Sequence, residues 1–224
     1  MSEIIRLENV VYMVRENWRA VNGISCRIRE NERVMFCGGS NSGKDALMRL
    51  IAGMERPNAG SVSVLNQAVH EMSGTRAAAF RNRYIGVVQR EAGFMERLSV
   101  VENISLPLVI RGVNQSPRKK EAVDLLKMLG IYHVAQALPT QLSAYEARAA
   151  SIARALITKP KILLLNEITL RLSEKDAEKI NETIRVIAGF GDHTILWFSD
   201  SVNKTLGTNR TIYLENGKIR EDIK

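Results

Sequence analysis

Gly38-Gly39-Ser40-Asn41-Ser42-Gly43-Lys44 sits between a short apolar run, Arg33 to Cys37, and a helical pattern from Lys44 to Ala52. Strand, glycine-rich turn and helix in that order give the stretch a mechanism. The glycines let backbone N–H groups curl round a phosphate, the helix N-terminus adds partial positive charge, and the lysine reaches the terminal phosphates. The match to G-x-x-x-x-G-K ends there. A Ser or Thr hydroxyl for Mg²⁺ is expected after the lysine, but Asp45 follows, with Ala46 behind it. At an effective dielectric of about 20, a carboxylate at about 4 Å from a phosphate charge costs around 4 kcal/mol. The same Asp45 in the first turn suits the helix dipole without any ligand. Both readings stand: a carboxylate that opposes nucleotide, or one that stabilises an empty loop.

Outward from this loop the pattern is α/β. Ile4 to Val10 and Val21 to Ile28 read as strands, as do Ser61 to Leu65 and Tyr84 to Val88, with a basic helix at Arg76 to Arg83. Val100 to Leu156 is helical, with breaks predicted at Pro107, at Gly112 with Pro117, and at Pro139. Strand signals return at Ile162 to Leu165, then a helix at Ser173 to Ala188 and strands at Thr194 to Phe198 and Thr211 to Leu214. Asn216-Gly217 turns the last of these into Lys218 to Arg220. The order predicts one domain over 1–224, in which a P-loop α/β core with an antiparallel β layer (1–89 and 159–224) is interrupted by a helical subdomain (90–158).

Whole-chain quantities bound the function. The 224 residues carry 32 Lys plus Arg against 24 Asp plus Glu, a net charge of +8. That excess is read either as a solvated basic surface or as attraction to an anionic partner, nucleic acid or the inner leaflet of a membrane. No basic block interleaved with aromatics occurs, so no nucleic acid is expected. The longest purely apolar run is five residues, Val10 to Val14, where a membrane span needs about 18. No export signal is read at the N-terminus, and the chain is expected in the cytoplasm. Cys26 and Cys37 lie in strand-like apolar contexts and read as buried thiols; His70, His133 and His193 have no ligand at metal-site spacing.

Further stretches carry a resemblance. They are Gly53-Met54-Glu55-Arg56-Pro57-Asn58-Ala59-Gly60, Val101-Glu102-Asn103-Ile104-Ser105-Leu106-Pro107-Leu108, Gln141-Leu142-Ser143, Ser151-Ile152-Ala153-Arg154-Ala155-Leu156 and Ile162-Leu163-Leu164-Leu165-Asn166-Glu167. In order and spacing, over nearly the whole chain, they resemble the ATP-binding subunits of ABC transporters, nearest the branch serving lipoprotein release and macrolide or antimicrobial-peptide export. The resemblance implies ATP and Mg²⁺ as ligands, a dimer of such subunits (like or paralogous) and docking on a transmembrane permease at the inner face of the membrane.

It also implies roles position by position. Gln89 matches the glutamine that touches Mg²⁺ and senses the membrane partner, and Glu167 the carboxylate that polarises the attacking water. Asn166 stands where a Mg²⁺-positioning aspartate is expected, Ser173 replaces the aspartate of the next loop, and Asp200 falls at the γ-phosphate-sensing histidine. Leu142-Ser143-Ala144-Tyr145-Glu146 occupies the signature segment that caps ATP held by the opposite subunit, with Ala149 where an arginine follows. There Tyr145 brings bulk where glycine lets backbone approach phosphate, and Glu146 brings like charge. For the adenine-stacking aromatic, Val14 holds the aligned place, with Tyr12 and Trp18 nearby. These departures imply a weakly or non-hydrolysing structural or regulatory subunit. Two alternatives are an active ATPase whose Mg²⁺ site is rebuilt from Asp45, Asn166 and Gln89, and a soluble ABC protein acting on nucleic acid or ribosomes. The Phe94-Met95 pair is read either as an anchor for the permease or as packing of the subdomain's own core.

Overall fold

The computed structural model describes residues 2–189, 193–202 and 207–223. In chain order the elements are β1 (Glu3–Arg15), β2 (Trp18–Arg29), β3 (Arg33–Cys37), α1 (Lys44–Ile51), β4 (Ala59–Val64), β5 (Gln67–Ala68), α2 (Gly74–Tyr84) and β6 (Ile85–Val88). After them come α3 (Val100–Ile110), α4 (Gln115–Met128), α5 (Ala144–Leu156), β7 (Ile162–Asn166), α6 (Glu174–Gly189), β8 (Thr194–Ser199), β9 (Arg210–Glu215) and β10 (Lys218–Ile223). Two sheets form. One is antiparallel in the order β2-β1-β4-β5; the other runs β10-β9-β3-β8-β7-β6, parallel except for its last hairpin strand β10.

The parallel strands are apolar almost throughout because both faces are covered. Val34, Met35 and Phe36 are fully buried, as are Ile162, Leu163, Leu164 and Leu165. Phe36 faces Phe198 across the β3–β8 register, their rings stacked at 5.1 Å and 8°, a pair worth about 0.5–1.5 kcal/mol beyond area burial. This register also fixes the site. Cys37 pairs with Ser199 and Asn166 with Phe198, so the residues that follow β3, β7 and β8 emerge together at the carboxyl edge of the sheet, where open α/β sheets bind ligands.

One sequence expectation is corrected here. Pro107 does not break α3, which runs on to Ile110. It falls in the last turn, where only one backbone bond is lost, and the buried Val101, Ile104 and Leu108 keep the helix seated. The break at Gly112 does occur, between Ile110 and Gln115, and Pro117 is the third residue of α4, where its missing N–H would have no helical partner anyway. The sequence reading also passed over β5. Leu65 and Asn66 both take positive φ, 52° and 58°, the requirement of a two-residue hairpin turn, but without the glycine that advertises one.

Cys26 and Cys37 are buried free thiols, and burial pushes the Cys26 thiol up to about 11. Among the described residues no helix is long and apolar enough to cross a membrane.

Candidate functional site

The glycine-rich loop leaves β3 and enters α1 at Gly43, whose φ is 92°. A Cβ there would stand 1.9 Å from the Ala20 carbonyl oxygen, and one at Gly38 would stand 2.4 Å from that of Leu214. Close packing on β2 and β9 therefore demands these two glycines, whereas Gly39 faces open space. Beside the loop lies a cavity of about 230 Å³, lined by Asn41, Ser42, Lys44, Asp45, Val14 and Trp18 among others. The Ser42 hydroxyl is buried and has no hydrogen-bond partner. A buried donor without an acceptor, beside a helix N-terminus, fits the phosphate of a nucleotide.

Lys44 is already engaged. Only 3% exposed, its Nζ donates to Asp200 Oδ1 in a very short contact and lies 3.6 Å from Glu167 Oε1. Each partner arrives from the end of its own strand: Glu167 follows β7, its N–H donating to the Phe198 carbonyl at 2.9 Å, and Asp200 follows β8. The hydrogen bond from Lys44 holds the Asp200 carboxyl below the usual range. Burial, then the negative charge of Asp200, pushes that of Glu167 up. The charge at the predicted γ-phosphate position is thus an anion of the chain itself, paired with the lysine that a phosphate would need.

Asp45 and Asn166 are also joined. Asn166 Nδ2 donates to Asp45 Oδ1 at 2.8 Å, so the carboxylate is turned onto β7, while Asn166 Oδ1 is buried without a partner. This donor set does not fit Mg²⁺ well, because an amide N–H points at the one carboxylate that would hold the ion. Among the described residues, the Gln89 side chain makes no hydrogen bond to the pair. The residue is exposed, and its backbone carbonyl accepts from Arg148 Nη1 at 2.6 Å.

The segment from Leu142 to Glu146 opens α5. Ser143 is its N-cap and forms a reciprocal capping box with Glu146: Ser143 N and Oγ donate to Glu146 Oε2 at 2.8 and 2.7 Å. The other carboxylate oxygen meets His133 Nε2 at 2.8 Å. Hydrogen bonds from Ser143 pull the Glu146 carboxyl below its ordinary range. Glu146 therefore does not project as a free like charge, as the sequence reading had it; it caps its own helix. Tyr145 packs against the core, with Lys179 of α6 at 5.0 Å over its ring. Ser173 caps α6 by way of Asp176, accepting from its N–H at 3.2 Å.

Two placements were missed in the sequence. Ala149 is buried where an arginine was expected, but the neighbouring Arg148, also buried, reaches the carbonyls of Gln89 and Arg90 at 2.6 and 2.8 Å. Arg154 grips two carbonyls further on, of Ala92 and Gly93. The aromatic lining the cavity is Trp18, 41% exposed, rather than Tyr12. Tyr12 packs on the core near Glu55 and Arg49, and burial pushes its hydroxyl up. Register shifts between Tyr12 and Met13 and again before Arg15 break the two-residue alternation that would have put Tyr12 and Val14 on one face.

The family described as ABC transporter matches residues 21–170. The lipoprotein-releasing system ATP-binding protein LolD of Pseudoalteromonas translucida is 30% identical over 219 residues, 96% of this chain and 94% of that protein. An uncharacterized ABC transporter ATP-binding protein of Thermotoga maritima is 35% identical over 194 residues, 85% of this chain and 83% of its own length. Among solved structures, a dimeric post-hydrolysis state of the ATP-binding cassette MJ0796, bound to ADP and Pi, superposes with a TM-score of 0.91. It is 28% identical and covers 99% of this chain and 98% of the other.

Proposed function

Because the chain belongs to the ABC transporter family, as a LolD-like ATP-binding subunit, we propose that its own hydrolysis is weak or absent. On this reading it acts as a structural or regulatory partner in a dimer docked on a membrane permease. The observation that carries the proposal is the burial of Lys44 between Asp200 and Glu167. To bind ATP productively, the γ-phosphate has to displace an anion that already holds the lysine and brings its own hydrogen bond. The Asp45–Asn166 contact supports the same conclusion, since it spends the carboxylate on an internal partner. So does the capping box at Ser143, whose hydroxyl is taken by Glu146 rather than left for a phosphate across a dimer.

We further assign the nucleotide-binding role to Gly38 through Ala46, with Trp18 as the stacking aromatic, and the helical subdomain to 90–158. The latter is supported by α3, α4 and α5 following one another without an intervening strand. Peripheral placement on the inner face of the membrane follows from docking on the permease. The test is ATP turnover by the purified chain with Mg²⁺. No turnover above background is expected; turnover that Glu167→Gln abolishes overturns the proposal in favour of a rebuilt metal site.

A further inference from the structure

Between Glu71 and Glu91 the chain has four arginines (Arg76, Arg81, Arg83, Arg90) and no acid. Between Glu102 and Glu121 it has four more basic residues (Arg111, Arg118, Lys119, Lys120), again with no acid. These eight charges equal the net charge of +8, so the rest of the chain is neutral. The fold brings the two stretches together. Arg111, just past α3, donates to the Asn82 side chain on α2 at 2.8 Å, and Asn82 Nδ2 donates back to the Pro107 carbonyl at 3.0 Å. Burial, and then repulsion from Arg83, holds the Arg111 guanidinium below its usual range.

The hydrogen-bond partners of these side chains are neutral. Arg81 reaches the Gly53 carbonyl, Arg111 the Thr158 carbonyl, and Arg118 the Val113 carbonyl. Lys119 senses Glu102, whose carboxylate is held by Ser99. Arg90 lies apart, beside Glu167 and Asp200. Next to Arg111 stands the apolar end of α3: Ile110 is 76% exposed and Val109 43%, with Val109 sharing a cleft with Glu102, Arg118 and Lys119.

We propose that this face, the exposed Ile110 together with Arg83, Arg111, Arg118, Lys119 and Lys120, binds directly to an anionic phospholipid surface. A protruding aliphatic side chain beside a local excess of basic groups matches both layers of such a surface, acyl boundary and headgroup. An acidic protein segment would satisfy the charges but leaves the aliphatic tip without a reason. The proposal is independent of whether the chain hydrolyses ATP and of how it meets a permease.

The experiment is co-sedimentation of the purified full chain with phosphatidylcholine vesicles, with and without phosphatidylglycerol, in low and high salt. Binding is expected only with phosphatidylglycerol and is expected to fall in high salt, where screening shortens to a few ångströms. Each basic residue near the surface contributes roughly fivefold, so Lys119→Glu with Lys120→Glu should weaken binding by at least about tenfold. Ile110→Ser should weaken it several-fold at unchanged net charge. A control pair, Lys175→Glu on α6 with Lys218→Glu on β10, changes net charge equally on other elements. Thermal melting checks that every variant is folded. Equal losses from the control pair, or no loss from Ile110→Ser, overturn the proposal; so does binding to neutral vesicles alone.

Discussion

Lys44 reaches its partners because three strand ends align, and the consequences can be tested one side chain at a time. Removing the Asp200 charge leaves Lys44 with only Glu167, whose Oε1 stands 3.6 Å away. Asp200→Asn is therefore expected to raise the affinity for a fluorescent ATP analogue by about tenfold or more, as one charge-assisted contact is worth about 1.5–3 kcal/mol. Equal affinities would mean that the ion pair does not compete with phosphate. Asp45 behaves differently from the simple repulsive charge that its place after Lys44 implies, because Asn166 holds it. Asp45→Ser leaves the Asn166 amide without its one partner on top of an already unbonded Oδ1. A loss of about 1–3 kcal/mol in stability is expected, and Asp45→Ser with Asn166→Asp should recover most of it in a thermal melt. If the single variant melts like the wild type, the pair is incidental.

At the level of elements, α5 shows how a family-like segment acquires a private use. Its first turn carries Ser143 and Glu146 at capping-box spacing, and the structure closes the box and adds His133. The spacing Ser-x-x-Glu was readable in the sequence, but the resemblance to a signature segment drew attention to charge repulsion instead. Glu146→Ala removes the reciprocal bond and the His133 contact together. The expected cost is about 0.5–2 kcal/mol, a fall of about 2–4 °C in Tm per kcal/mol for a chain of this size. An unchanged Tm would show that the box contributes nothing. The two prolines differ by place: Pro107 does not break α3 because it sits in the last turn, whereas Pro117 lies in the first turn of α4, just past the break at Gly112.

For the whole molecule, the proposed docking on a permease raises the question of which surface would meet it. The Phe94-Met95 pair resolves into two roles. Phe94 packs on the core beneath the Arg154 guanidinium, 4.8 Å from its ring centre. Met95 is 59% exposed, with its backbone fixed through the buried Asn103. Met95→Asp should thus melt like the wild type and lose the membrane partner in co-purification from detergent-solubilised membranes, whereas Phe94→Asp should lower Tm by several degrees. Retention of the partner by Met95→Asp would remove this surface from the interface.

The sequence by itself determined most of the elements and the glycine-rich turn, because strand alternation, helix capping and a glycine-marked positive φ are properties of a few consecutive residues. It also named the altered positions Asp45, Asn166 and Asp200 and the retained Glu167. What those residues do to one another was decided by tertiary structure alone. Lys44 and Asp200 are 156 positions apart, Asp45 and Asn166 121. They meet because the register of β3, β7 and β8 sets their strand ends side by side, and no local pattern encodes which buried charge will find which partner.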